Sequence, residues 1–306
     1  MVCFNNFQKY IDEHMTGKVT IGKSGASVYE LDHIYIAKHI RRNLMQSDAD
    51  WDSYRRESQF YSSYTSESFS FLPRVYHCSQ TDDEIQLIMK KYCPVNRYNL
   101  EDALLEKVFD VLAQIHNMPI PEFLPKMDTG ALRIEEDEIN QYLSGWCDVI
   151  REHGDVFSES DIIKIGENIN TINKLAYTPK KMICHGDFHF DNLLTDGKGN
   201  IIVCDWQNVN SGHVSGDISF FLSRLSADGF EICKEKAIQM YCRFATADIA
   251  HDEISMQMSL ANLNTSFIHW HNYLRGCSIE RVRGIWDKMI EDAEYLYSVC
   301  PLITSF

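Results

Sequence analysis

The segment from Lys181 to Gln207 constrains this chain more than any other. It is a short β-rich island in a part of the sequence that otherwise reads as helix. Its first half is Cys184-His185-Gly186-Asp187-Phe188-His189-Phe190-Asp191-Asn192-Leu193-Leu194. The apolar run Ile201-Ile202-Val203 follows and ends in Cys204-Asp205-Trp206. An Asp, an Asn five residues later and a second Asp at the end of a strand are therefore held by short strands and a tight loop. Such a loop gathers its polar groups on one side of a cleft. Asn192 and Asp205 offer the hard oxygen donors that Mg²⁺ takes. Asp187 can accept the proton of a substrate hydroxyl or orient that hydroxyl. Phosphoryl transfer asks for little more than a positioned nucleophile and a metal that absorbs charge.

Upstream of residue 92 the pattern is strands with one helix among them. Val19 to Leu31 contains a Gly-rich turn, and Ile34 to Ile40 is a β-branched strand. Asp50 to Tyr64 is polar with aromatics at helical spacing, and Asp50 is a candidate cap. Phe71-Leu72-Pro73 breaks the pattern before strands at Arg74 to Cys78 and Glu84 to Met89, joined by Thr81-Asp82-Asp83. Beyond residue 92, Leu104, Val108, Leu112 and Ile115 mark an amphipathic helix from Leu100 to Asn117. Further helices are expected at Glu138 to Glu152, Ser160 to Leu175, Ile218 to Leu225, Phe230 to Thr246, Glu253 to Leu274 and Ile279 to Tyr297. The expected fold class is α+β, with a small β-rich N-terminal lobe (1–91) and a larger, mostly helical lobe (92–306).

A chain of 306 residues can bury a large core. No stretch is apolar enough to span a bilayer, and the N-terminus has neither a basic segment nor an apolar run of a secretory signal. The ten cysteines are scattered without a CxxC pair, which points to reduced thiols in the cytoplasm. A net charge of −15 disfavours nucleic-acid and anionic-membrane partners. It suits a cationic substrate, and equally a plain acidic surface.

The segment from Cys184 to Leu194, with Asp205-Trp206 after it, resembles the catalytic loop and metal-binding Asp of the aminoglycoside phosphotransferase and choline kinase superfamily. Gly22-Lys23-Ser24-Gly25-Ala26-Ser27-Val28-Tyr29 resembles its nucleotide-positioning loop. The resemblance runs from the N-terminal motifs to about Leu225. It implies a bilobal, protein-kinase-like fold that moves the γ-phosphoryl group of ATP or GTP onto a substrate hydroxyl, with Mg²⁺. It implies Asp187 as catalytic base and Asn192 and Asp205 as metal ligands. Gly22, Ser24, Gly25 and Ser27 would approach the phosphates, and Lys38, held by Glu57, would contact them. Met89, Lys90 and Tyr92 would form the purine-binding hinge. His185 would support the loop, and His189 falls where protein kinases place a phosphate-contacting Lys. Asp217 would accept backbone N–H groups of the catalytic loop, or cap its own helix. Zinc at Cys184, His185 and His189 is disfavoured, because two of these positions match family residues that bind no metal.

Only eleven residues separate Asp205 from Asp217, too few for a peptide-docking activation segment, and no Ala-Pro-Glu is present. Gly186 stands where regulated kinases carry Arg. The acceptor is therefore expected to be a small molecule held by helices of the second lobe. Glu135 and Glu138 could bind its amines or merely open a helix. Trp270 and Tyr273, three residues apart, could flank a sugar or an ammonium, or belong to a core stripe. An aminoglycoside leads, with choline, ethanolamine or another metabolite open, and so a role in antibiotic resistance or in metabolism. A nucleotide-binding pseudokinase is the reading of another class. The presence of Lys38, Glu57, Asp187, Asn192 and Asp205 argues against it.

Overall fold

The computed structural model describes residues 7–19, 26–98, 100–124, 130–154, 156–246 and 249–300. In chain order the elements are α1 (Phe7–His14), β1 (Met15–Val19), β2 (Ser27–Leu31), β3 (Tyr35–Arg41), α2 (Asp48–Ser63), β4 (Val75–Gln80), β5 (Glu84–Lys90), β6 (Cys93–Pro94) and α3 (Asp102–His116). There follow α4 (Glu136–Glu152), α5 (Glu159–Leu175), β7 (Met182–Cys184), β8 (Leu193–Thr195), β9 (Ile201–Val203), β10 (Asn210–Gly212) and α6 (Ser215–Ala227). Helices α7 (Lys234–Phe244), α8 (His251–Thr265), α9 (His271–Leu274) and α10 (Ile279–Val299) complete the chain. The expected β-rich N-terminal part and helical C-terminal part are both present. The chain divides into two compact units, one of residues 1–126 and 182–248, the other of 127–181 and 249–306. The expected lobe boundary at 91/92 lies inside the first unit.

The first unit opens with an antiparallel sheet of order β1-β2-β3-β5-β4. Side chains alternate across a strand, so β3 presents Ala37 and His39 to one face and Lys38 and Ile40 to the other. Register pairs Lys38 with Leu87 and Ile40 with Ile85 on β5. Helix α2 covers that face: Trp51 and Tyr54 pack with Ile40 and Ile85. On the opposite face Phe7 and Ile11 of α1 pack with Leu31, Ala37 and Ile88. Helix α1 is not anticipated by the sequence pattern. It has eight residues and two apolar contacts four apart, a stripe that becomes meaningful only against a sheet. The cap of α2 also differs from expectation. Ser47 is the N-cap, accepting from the Asp50 N–H (3.1 Å) while its hydroxyl donates to the Asp50 carboxylate (2.7 Å). Asp50 stands at the third helical position, where a carboxylate completes this exchange.

After β5 the chain joins a small three-stranded sheet, β6-β8-β9, and β10 pairs with β7 beside it. Helix α3 buries Leu105, Val108, Phe109, Leu112 and Ile115 along one stripe and packs on α7. Phe221 of α6 gathers the rings of Phe109, Phe188 and Phe190 within 5.5–5.7 Å.

The second unit is a helical cluster around Trp146, Ile165, Ile169, Phe267, Trp286 and Met289. The helix expected from Glu253 to Leu274 is present, with a change of pitch inside it. Between α8 and α9 lies a π-helical turn, Ser266–Trp270, whose Phe267 carbonyl accepts from the Trp146 indole at 3.0 Å. The wider turn frees a carbonyl that a regular helix would use internally. Gly145 on α4 abuts His271, and any Cβ there would run into the imidazole ring. Gly145→Ala should therefore cost about 1–3 kcal/mol by overpacking. Urea denaturation should show this loss, and show it largely relieved in the Gly145→Ala, His271→Ala double variant.

Candidate active site

All of the site described here lies within the first unit. Strand alternation turns Lys38 toward α2, where its ammonium meets Glu57 at 2.8 and 3.0 Å and Asp205 at 3.3 Å. Glu57 is 2% exposed. Burial works to lower the Lys38 pKa, but the carboxylates of Asp205 and Glu57 outweigh it and the net shift is upward. The lysine is thus held as a cation. Burial raises the Glu57 carboxyl, against the pull of Lys38. Asp205 has a left-handed backbone, φ 65°. That turn sends the carboxylate toward Lys38 while the next side chain, Trp206, goes fully inside. The Trp206 indole donates to the Val203 carbonyl at 3.0 Å and stacks on Phe60 of α2 at 3.9 Å and 11°. Phe60 stands one turn beyond Glu57, so one helix face supplies both the carboxylate and the ring. His185 meets the same indole edge-on at 4.7 Å.

The loop sequence from Asp187 to Phe190 alternates for a physical reason. Phe188 and Phe190 are buried in the core, while Asp187 and His189 beside them are only part-buried and Asp191 is exposed. Asn192 ends a 3₁₀ turn and donates through Nδ2 to the Asp187 carbonyl (2.8 Å) and carboxylate (3.2 Å). Strands β8 and β9 pair Leu193 with Val203, and the Cys204 N–H donates to the Asn192 carbonyl at 3.0 Å. Asn192 and Asp205 therefore stand at the same end of one hairpin. His189 Nε2 lies 3.5 Å from the Asp187 carboxylate. Contact with His189, then Asn192, holds the Asp187 carboxyl below the usual range despite partial burial, so it is ionised at neutral pH. On the outer side Asp191 pairs with Arg97 (2.8 Å) and Arg224 (3.4 Å).

The loop backbone is fixed from below. His185 is fully buried, donates from Nε2 to the Cys204 carbonyl at 2.9 Å and accepts the Asp187 N–H at Nδ1 (3.2 Å). Burial lowers its pKa, which keeps the ring neutral and lets one nitrogen accept. Gly186 has φ 79°, and a Cβ there would strike the Asn208 carbonyl. Asp217 does not cap α6 with its side chain. Its carboxylate turns to the loop and accepts the N–H groups of His185 (2.7 Å) and Gly186 (2.8 Å), and also His116 Nε2 (3.1 Å).

The remaining expected residues fall as follows. Gly22, Ser24 and Gly25 lie outside the described residues. Ser27 pairs with His39 at the start of β2. At the expected hinge Met89 is buried, and the Lys90 and Lys91 N–H groups donate to the Arg74 and Ile34 carbonyls. A purine there must use other backbone groups. The Tyr92 hydroxyl accepts the Arg74 N–H at 3.1 Å. In the second unit Glu135 and Glu138 form a capping box on α4, with the Glu135 N–H donating to Glu138 at 3.1 Å. Trp270 and Tyr273 meet edge to face at 6.2 Å. Phe60, Arg97 and His116 carry no sequence signal of their own. Each matters only through a partner distant along the chain.

A family model described as the phosphotransferase enzyme family matches residues 56–251. The chain belongs to this family. No curated protein sequence matches it. Solved structures similar to this chain include an aminoglycoside phosphotransferase, APH(2'')-Ib bound to ADP. It aligns at TM-score 0.53 and 16% identity over 96% of this chain and 99% of that one. The GDP complex of aminoglycoside 2'-phosphotransferase-IIIa aligns at TM-score 0.55 and 13% identity over 95% of each. A choline kinase, LicA from Streptococcus pneumoniae, aligns at TM-score 0.52 and 11% identity over 95% and 97%. These likenesses establish a kinase-like fold.

Asp217 gives the site a pH signature. Burial alone would raise its carboxyl, but the hydrogen bond and charge of His116, with help from the loop N–H, depress it. A depressed carboxyl contributes stability above its unfolded pKa, about 3.9, and that stability is lost as pH falls through the lower folded value. Asp217→Asn should lower stability at neutral pH by about 2 kcal/mol or more. Melting curves should also show a shallower loss of stability than in the wild type as pH falls below about 4.

Proposed function

We propose that this chain transfers the γ-phosphoryl group of ATP or GTP to the hydroxyl of a small cationic acceptor, of which an aminoglycoside is the leading candidate. The observation that carries this reading is the meeting of Lys38 with both Glu57 and Asp205, on the same framework that holds Asp187 and Asn192. Asp187, ionised and hydrogen-bonded, would accept the acceptor's hydroxyl proton as the new O–P bond forms and the bond from the γ-phosphorus to the β,γ-bridging oxygen breaks, releasing ADP or GDP. Lys38, kept cationic and aimed by Glu57, would hold the α- and β-phosphates in line for displacement. Asn192 and Asp205 would hold Mg²⁺, and the donor set fits: oxygen ligands, one of them a half-exposed carboxylate, at one hairpin end. Mg²⁺ held by these two residues would supply the positive charge that phosphoryl transfer calls for. Aminoglycoside and choline kinases among the structural neighbours support a small hydroxyl-bearing acceptor. The net charge of −15 supports a cationic one. The nine described cysteines are all free, which supports a reducing, cytoplasmic setting.

The test is a panel of hydroxyl acceptors, aminoglycosides, choline and ethanolamine included, assayed with ATP and GTP in the presence of Mg²⁺. One cationic class should turn over, with KM rising as salt is added. Asp187→Asn should reduce kcat roughly 10²- to 10⁴-fold, and Asp205→Ala should abolish the response to Mg²⁺. Nucleotide binding without turnover on any acceptor would leave the pseudokinase reading in its place.

A further inference from the structure

We propose that Arg97 is a positioning residue for phosphoryl transfer, holding the far end of the catalytic loop through Asp191; this rests on the phosphotransfer reading above. Arg97 lies on the linker that leaves the large sheet after β5. That linker runs antiparallel to β8: Cys93 pairs with Thr195, Pro94 with Leu194, and the Val95 N–H donates to the Leu193 carbonyl at 3.1 Å. In the same register Arg97 falls opposite Asp191, and its Nη1 donates to Asp191 Oδ1 at 2.8 Å. The Asn96 side chain accepts the Tyr98 N–H at 3.2 Å, a local turn with Arg97 at its middle. The same Nη1 also donates to Asp228, just past the end of α6, at 3.1 Å. From the last turn of α6, Arg224 reaches the second oxygen of Asp191 at 3.4 Å. Two cations and two anions thus alternate, joining linker, loop and helix end.

What this network holds is the 3₁₀ turn Phe190–Asn192. Asp191 is the middle residue of that turn. Its neighbour Phe190 is buried among aromatic rings, whereas Asp191 is half-exposed and tied to Arg97. Two consecutive residues are therefore anchored to different parts of the fold, and the turn between them cannot rotate freely. Asn192 follows at once, and its side chain donates to both the carbonyl and the carboxylate of Asp187. The path of influence runs from Arg97 to Asp191, to Asn192, to the reacting carboxylate. Asp217 already fixes the near end of the loop at the His185 and Gly186 amides. Arg97 fixes the far end.

Stability is not the better account of this network. An ion pair as open to water as Arg97 with Asp191 is worth only about 0–1 kcal/mol, because solvent screens it. Its use lies in direction: a guanidinium shared between two carboxylates sets where each one points. Nor is Asp191 best read as a ready contact for a cationic acceptor. Both of its oxygens already face a guanidinium, one of Arg97 and one of Arg224. The two roles differ in what they would do to turnover. A direct contact to acceptor shows in KM, and a positioning contact shows in kcat.

The experiment compares Arg97→Met, Asp191→Asn and the double variant in the full chain, with Lys236→Met as control. Lys236 forms an exposed ion pair with Asp102 at 2.7 Å, between α7 and α3, so its loss removes one surface cation and leaves the loop alone. Turnover is read as transfer to whichever acceptor the panel identifies, with ATP or GTP and Mg²⁺. Arg97→Met should lower kcat roughly 5- to 30-fold, with both KM values within about twofold, as expected of a misplaced reacting group. Asp191→Asn should do the same, and it carries the test if Arg97→Met does not fold. The double variant should be no slower than the slower single one, since the two residues act as a unit. Hydrogen exchange of the chain without nucleotide should quicken roughly tenfold over residues 188–195 in Arg97→Met, and stay unchanged there in Lys236→Met. Unchanged kcat in Arg97→Met, additive losses in the double variant, or loop exchange like that of the wild type would each overturn the proposal. So would a raised acceptor KM with kcat intact, or an equal loss of kcat in Lys236→Met. A wild-type chain inert toward every acceptor would overturn both readings at once. An active wild type with Arg97→Met equally active overturns this one alone.

Discussion

The ion pair of Lys38 and Glu57 is the constraint from which most of the first unit follows. Removing an ammonium and a carboxylate from water costs several kcal/mol per ion, even after the protein relaxes. The return comes from two hydrogen bonds at 2.8 and 3.0 Å, with Asp205 as a third charge beside them. Such a pair holds only if three elements are in register. A one-residue slip of β3 would send Lys38 to the α1 side of the sheet, leaving Glu57 buried and alone. A rotation of α2 would carry Glu57 away and also break the stack of Phe60 on Trp206. The helix is therefore pinned twice on one face, by a charge and by a ring.

The loop bearing Asp187 solves a different problem. It must be irregular enough to present several polar groups, yet rigid. Phe188 and Phe190 anchor it in apolar packing around Phe221. Asp217 satisfies the N–H groups that this irregular path leaves without a ladder partner. Apolar anchoring fixes position, and the carboxylate fixes orientation. His185 links the two, because its ring touches Trp206 while its Nδ1 holds the Asp187 amide.

Much of this was legible in the sequence, and the reason differs from element to element. Strands β3 and β5 and helices α3, α5 and α10 carry long, regular apolar periods. Asp187, Asn192 and Asp205 are close in sequence, so a loop and a hairpin bring them together without long-range help. The role of Asp217 was left between capping and gripping the loop, because both uses suit an acid in the first turn of a helix. Distance in space, not spacing, decides for the loop. His116 and Phe60 left no trace, since their partners lie about a hundred residues or more away. Helix α1 was missed because two apolar residues among eight do not outweigh a polar stretch. The π-helical turn after α8 meets the indole of Trp146, a contact that no local pattern records. Glu135 and Glu138 were ambiguous for a simple reason. A carboxylate that completes a capping box and one that waits for a cation are the same residue type in the same place.

The burial of Trp206 has an optical consequence. Its indole stacks on Phe60, meets His185 edge-on and follows directly on Asp205 in the chain. Indole emission responds strongly to an adjacent imidazole and to local polarity. The chain thus carries its own chromophore, one of five tryptophans but the one joined by a single peptide bond to the acid that meets Lys38.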